Sequence, residues 1–182
     1  MAHEIETKVL DITKDSIIRK IKKLGGKGGK REKLTVDWFR TVGVKNGEDL
    51  WYLRIRSYDN KKHEVTWKSK SKISGNVRKH KEINFLLDEP KKLADLFSEI
   101  DLENYAHQEK YRTSFVFKNW RFDIDEYPEM PAFIEIEGKS EKHVNEGLKL
   151  LGLENNKTWS GGERTLIEEV YKLDWYKMKF KK

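Results

Sequence analysis

Phe133-Ile134-Glu135-Ile136-Glu137-Gly138 alternates apolar and carboxylate side chains one residue at a time. Successive side chains of a strand point to opposite faces, so Glu135 and Glu137 share one face and Ile134 and Ile136 the other. The same pattern recurs outward from this stretch. Glu4, Glu6 and Lys8 share a face near the N-terminus. Arg54 and Arg56 do so in Tyr52-Leu53-Arg54-Ile55-Arg56, and Arg78, His80 and Glu82 in the strand read over 77–87. Lys110 and Arg112 form a further pair, Asp123 and Asp125 another, and Lys68 ends Val65-Thr66-Trp67-Lys68.

Two arrangements accommodate such faces. In an open sheet the charged side is solvated and the apolar side packs on helices. Glu-x-Glu and Asp-x-Asp pairs then repel along exposed strands, and acidic residues have modest β-propensity. In a closed sheet the charges line the interior and the apolar faces meet surrounding helices. About eight strands enclose a cavity wide enough for a small ligand. Charges held inside must be neutralised. Carboxylate pairs suit hard divalent cations, and Arg and Lys suit phosphate oxygens. The expected fold is therefore α+β: a closed antiparallel eight-stranded β-barrel, or tunnel, with a charged interior, flanked by helices.

Turn signals set the strand count. Asn46-Gly47, Tyr58-Asp59-Asn60-Lys61-Lys62 and Ser74-Gly75-Asn76 separate strand-like runs. Thr13 or Asp15 caps a helix carrying Ile17, Ile18, Ile21 and Leu24, which stops at Gly25, Gly26, Gly28 and Gly29. This Gly/Lys tract follows a helix and lacks a Gly-Lys-Ser/Thr ending, so it is read as a loop and not a phosphate loop. Pro90 and Ser140 open two further helices, and residues 163–173 read as a last one after the loop Ser160-Gly161-Gly162. No linker divides these elements, so 1–182 reads as one domain with a C-terminal helix and basic tail over 158–182.

Composition narrows the function. Charged residues make up 38% of the 182, yet aromatics reach 12%, which is against a disordered chain. There is no cysteine, which removes disulfides, thiolate metal sites and cysteine nucleophiles. No apolar run approaches the ~18 residues of a membrane span, and Met1-Ala2-His3-Glu4 does not open a signal peptide. A cytoplasmic protein is expected. The net charge of +7 and the tail Lys172–Lys182 favour nucleic acid superficially, but acidic pairs would repel its backbone, so nucleic acid is not the expected partner. The five histidines show no metal-ligand spacing, and of these only His80 falls on a charged face.

Glu4-Ile5-Glu6-Thr7-Lys8 resembles the signature that opens the CYTH proteins, or triphosphate tunnel metalloenzymes. Leu53-Arg54-Ile55-Arg56, Trp67-Lys68, Glu82, Lys110-Tyr111-Arg112, Ile124-Asp125-Glu126 and Phe133–Gly138 follow in the order of that family, from about residue 3 to about residue 152. The family includes class IV adenylyl cyclases, thiamine triphosphatases and inorganic triphosphatases. The resemblance implies that Glu4, Glu6, Asp125, Glu135 and Glu137 bind one or two Mg²⁺ or Mn²⁺ ions. It implies that Lys8, Arg54, Arg56, Lys68, Lys110 and Arg112 grip a small-molecule triphosphate, with Lys8 or Lys68 stabilising the leaving group. Glu82 resembles an inward acidic residue, and Arg78 and Asp123 join the set by facing alone. The implied activity is metal-dependent triphosphate hydrolysis. Alternatives are conversion of ATP to cyclic AMP and pyrophosphate, or a binding module without chemistry. A monomer or homodimer is expected. In one respect the chain departs from many relatives: aligned on Asp37, the aromatic two places on is Phe39, which lacks a hydroxyl.

Overall fold

The computed structural model describes residues 3–181, with the backbone alone at residue 3. Residues 1 and 2, which head the N-terminal stretch read above, and residue 182, which ends the basic tail, lie outside the described residues.

Eight antiparallel strands close into a barrel. Going round it, β1 (His3–Val9) is followed by β9 (Phe133–Gly138), β8 (Trp120–Glu126), β7 (Leu102–Phe117) and β2 (Lys27–Thr41). Then come β3 (Trp51–Tyr58), β4 (Lys62–Ser69) and β6 (Val77–Leu87), which pairs back onto β1. Two short strands hang on this ring: β5 (Lys72–Ser74) on β6, and β10 (Thr158–Trp159) on β1. Asp59 and Asn60 both take positive φ in the β3–β4 turn, a conformation these short polar residues tolerate well.

The glycine tract is not the loop expected from its composition. Strand β2 already begins at Lys27 and runs through Gly28 and Gly29 at φ +110° and +93°, with a register shift against β7 between Gly28 and Arg31. A Cβ on Gly29 would lie 2.7 Å from the Phe115 ring. Glycine lets the strand bulge and its backbone meet β7 closely.

Apolar strand faces point outward, as alternation requires. Helices α1 (Lys14–Lys23) and α3 (Glu141–Leu150) cover one side, burying Ile17, Ile21, Val144 and Leu148 against Phe122, Ile124, Ile134 and Ile136. The Ser140 hydroxyl caps α3 by accepting from the His143 amide at 3.1 Å. Helix α2 (Pro90–Glu99) presses Phe97 onto Phe39, Ile55 and Val65. None of the helices among the described residues is long and apolar enough to cross a membrane.

A third apolar cluster lies within the bore. Leu34, Val36 and Trp38 face inward, because their cross-strand neighbours are Lys110 on β7 and Arg56 and Arg54 on β3. They pack with Phe133 and with Leu166, Ile167, Trp175 and Met178 from the C-terminal segment. That segment is a short α-turn, α4 (Glu163–Thr165), continued as a π-turn (Leu166–Val170), and then a 3₁₀ turn (Trp175–Lys177). The regular helix expected over 163–173 is thus a broken one, and the aromatic tail is an inner packing element. The charged lining occupies one part of the bore and this apolar filling another.

Candidate active site

Strand register brings all the sequence-derived residues onto the inner wall. Glu6 pairs with Glu137 and Arg78, Lys8 with Glu135, Glu4 with His80, and Lys68 with Glu82. Asp123 pairs with Glu135, and Arg112 with Asp125. Arg54 and Arg56 face the same interior from β3.

Most of the charges are matched. Arg112 is the hub: its Nε donates to Asp125 at 2.6 Å, Nη1 to Asp123 at 2.7 Å and Nη2 to Glu135 at 3.0 Å. The planar guanidinium fork makes such multiple contacts where an ammonium could not. Lys110 Nζ donates to Asp125 Oδ2 at 2.9 Å, and Lys8 Nζ lies 3.0 Å from Glu135 Oε1. Arg78 donates to Glu6, and Lys68 bridges Glu4 and Glu82. The residues expected to grip phosphate therefore divide. Lys110 and Arg112 are engaged by carboxylates, whereas Arg54 has no ion pair or hydrogen-bond partner among the described residues, though it is only 8% exposed. Arg56 has one partner, Glu64 at 2.7 Å, with its Nε and Nη1 unpaired. Both line a cavity of about 260 Å³ together with Lys68 and Arg78. Burial, with Arg56 close by, lowers the Arg54 guanidinium from its ordinary value.

The carboxylates differ in environment. Burial opposes ionisation of Glu135, but Lys8, Arg112 and Arg78 outweigh it and hold the group well below the usual range. For Glu4 the Lys68 ammonium and the His80 hydrogen bond have the same effect against burial. Glu6 is raised by burial despite Arg78, with Glu135 adding repulsion. Burial, then the charge of Glu4, pushes Glu137 up to about 7. Oxygen donors crowded on one wall are the set that a hard divalent cation takes, so the residues present fit such an ion. Among the described residues two groups have donor atoms within 4.8 Å of one another, Glu4 with His80 and Glu82, and Asp125 with Glu135 and Glu163; Glu6 and Glu137 fall in neither.

His80, set on the charged face by spacing but given no role there, is 3% exposed and hydrogen-bonds Glu4 at 2.6 Å. Three residues of the wall were missed in the sequence. Arg121 and Glu64 lie on the inner face two residues from Asp123 and Thr66, so the spacing-two rule reaches both. Glu163 enters from α4, and no strand alternation could have indicated it. Phe39, the residue without a hydroxyl noted in the sequence, lies away from the bore. Its ring points outward and meets Phe97 at 5.0 Å between centroids, whereas Trp38 faces the bore opposite Arg54. Asp37, used for that alignment, also points outward, bonded to His107 and Asn104.

Solved structures share this architecture. The PH1012 protein of Pyrococcus horikoshii OT3 superposes with a TM-score of 0.68 at 23% identity, over 85% of this chain and 94% of its own. HpAC1 from Hippeastrum is a putative adenylyl cyclase for which a dominant triphosphatase activity is described. It superposes at 0.67 with 20% identity, over 95% of this chain and 97% of its own. A putative adenylate cyclase from Vibrio parahaemolyticus reaches 0.74 at 10% identity, over 91% and 97%. At these identities the likeness is one of fold. No curated protein matches the chain. The CYTH domain family model, however, matches residues 2–157, and the chain belongs to the CYTH domain family.

Proposed function

We propose that the chain is a divalent-metal-dependent phosphohydrolase acting on a triphosphate: inorganic triphosphate, or a nucleoside or thiamine triphosphate. The observation that carries this reading is Arg54. A buried cation without a direct ion pair costs several kcal/mol, of order 3–5, and among the described residues Arg54 has none. Arg54 lies beside Arg56 on a cavity wall, which is the arrangement a polyanion stabilises.

In this reading Arg54 and Arg56 hold the phosphate chain by charge-assisted hydrogen bonds. Glu4, Glu6, Asp125, Glu135 and Glu137 would hold Mg²⁺ or Mn²⁺, with Glu82 and His80 adjoining Glu4. When bound, such an ion neutralises phosphate oxygens and makes a bound water more acidic. Water attacks the terminal phosphorus, the bond from that phosphorus to its bridging oxygen breaks, and orthophosphate leaves from the shortened chain. Lys8 or Lys68 neutralises the departing oxygen. Phosphoryl transfer depends chiefly on such positioning and neutralisation. Membership of the CYTH family supports the class of reaction, and the fold likeness to HpAC1 is consistent with it.

The test is a product assay. Purified protein is incubated with Mg²⁺ or Mn²⁺ and tripolyphosphate, ATP or thiamine triphosphate, and the products are resolved. Orthophosphate is expected. Cyclic AMP with pyrophosphate would overturn hydrolysis in favour of cyclisation, and no turnover of any of the three would overturn both.

A further inference from the structure

We propose that Glu163 is a specificity-determining residue: a resident anion that occupies the seat at Lys110 and so competes with the far end of a phosphate chain. The inference rests on the triphosphate reading above and deepens it.

Glu163 has the contacts of a bound phosphate oxygen pair. Its Oε1 accepts from Lys110 Nζ at 2.8 Å, with Arg112 Nη2 at 4.0 Å. Its Oε2 accepts from the Tyr127 hydroxyl at 2.6 Å. An ammonium, a guanidinium and a phenol thus converge on one carboxylate, in the wall of the cavity that Arg54 and Arg56 also line. Burial alone would raise its carboxyl. Lys110, with Lys8 and Arg112, opposes this and the repulsion from Glu135, and the contacts to Lys110 at 2.8 Å and to Tyr127 at 2.6 Å are those that seat an anion.

The residue is also carried by a separate part of the chain. Glu163 lies beyond the family match, which ends at residue 157, and arrives on the segment that fills the bore. That segment is fixed on both sides of it. Trp159 Nε1 donates to the Gly162 carbonyl at 3.2 Å, Arg164 pairs with the buried Asp49 at 3.1 Å, and Leu166 and Ile167 are fully buried. The carboxylate is thereby held on Lys110 by a segment packed into the bore and not by a barrel strand.

Occupancy of a seat and a general negative potential have different signatures. Removing a diffuse charge strengthens binding of all anions alike. Freeing a seat strengthens only a chain long enough to reach it. Glu163→Gln removes the charge that holds the side chain on Lys110, so that a phosphate oxygen can displace the neutral amide from the seat, and it keeps an acceptor for Tyr127. Calorimetric titration with Mg²⁺ present would use the imido analogues of tripolyphosphate and pyrophosphate, which resist hydrolysis. For the tripolyphosphate analogue E163Q should bind about tenfold tighter than wild type, the scale of one charge-assisted contact, with a clearly smaller gain for the pyrophosphate analogue. Tyr127→Phe, which keeps the charge but releases one tether, should shift affinity in the same sense and by less. It serves also if E163Q folds poorly. Equal gains for both analogues, or no gain in either variant, overturns the inference and leaves the triphosphate reading standing. Failure of wild type and variants alike to bind either analogue overturns the triphosphate reading, and this inference with it.

Discussion

The indole of Trp175 rests against that of Trp38, with ring centroids 5.3 Å apart. Trp38 belongs to the inner wall of β2 and Trp175 to the C-terminal segment, so the contact ties the end of the chain into the barrel. Gln108 sits between them: it accepts from Trp38 Nε1 at 2.9 Å and donates to the Trp175 carbonyl at 2.6 Å. Trp175 is 3% exposed, and truncating it leaves a cavity where the bore is otherwise packed. Trp175→Ala should therefore cost about 3–5 kcal/mol in a urea titration. A loss under about 1 kcal/mol would mean that the segment does not hold the barrel together.

Arg54 and Arg56 are two residues apart on one face but differ in their neighbours. Arg56 pairs with Glu64, whereas Arg54 makes no ion pair among the described residues. Replacing Arg54 by Gln removes an unpaired buried charge, so the protein should become more stable, by about 1 kcal/mol or more. The same change should weaken tripolyphosphate binding at least about tenfold. Opposite signs in melting temperature and affinity identify a binding residue retained at the expense of stability. A variant that loses stability would show that Arg54 has a structural partner.

How far these features were legible depends on the period of the structure that carries them. Charges on strands follow the two-residue alternation, and the sheet preserves it, so Glu4, Glu6, Lys110, Arg112, Glu135 and Glu137 could be set on one face from spacing alone. Which face Asp37 and Trp38 take is different. It depends on pairing with β3 and on a register shift against β7 between Trp38 and Phe39, which local sequence does not encode. Glu163 depends on where a loop crosses the bore, a tertiary property with no period. The glycine tract misled for a related reason. Gly28 and Gly29 resemble a loop in composition, but their role is close approach to β7.

The Arg56–Glu64 pair sets a pH dependence. Burial tends to raise Glu64, but Arg56 outweighs it and the folded-state pKa lies below its ordinary value of 4.5. A depressed carboxylate stabilises the fold above the unfolded value, and that contribution is lost as pH falls through the folded one. Glu64→Gln should thus be less stable than wild type by about 2 kcal/mol at neutral pH. The difference should stay level above about pH 6 and shrink below about pH 4.5. Unfolding titrations of both proteins across this range measure it. A difference that widens in acid would contradict the assignment.

Arg112 gives the most direct test of the carboxylate cluster. Its guanidinium bonds Asp123, Asp125 and Glu135, which then need no other counter-charge on that side. Arg112→Met removes the cation and leaves the buried carboxylates facing one another, with a loss of about 3–5 kcal/mol expected in metal-free buffer. If those carboxylates form a cation site, Mn²⁺ should restore part of the loss, because an ion that binds only the folded state stabilises it by mass action. The rise in melting temperature on adding Mn²⁺ should therefore be larger in the variant than in wild type, where Arg112 already fills part of the role. A variant that is destabilised and gains nothing from Mn²⁺ would remove Asp125 and Glu135 from the metal assignment and leave Glu4, Glu6 and Glu137, with Glu82 and His80 adjoining, as the group to test.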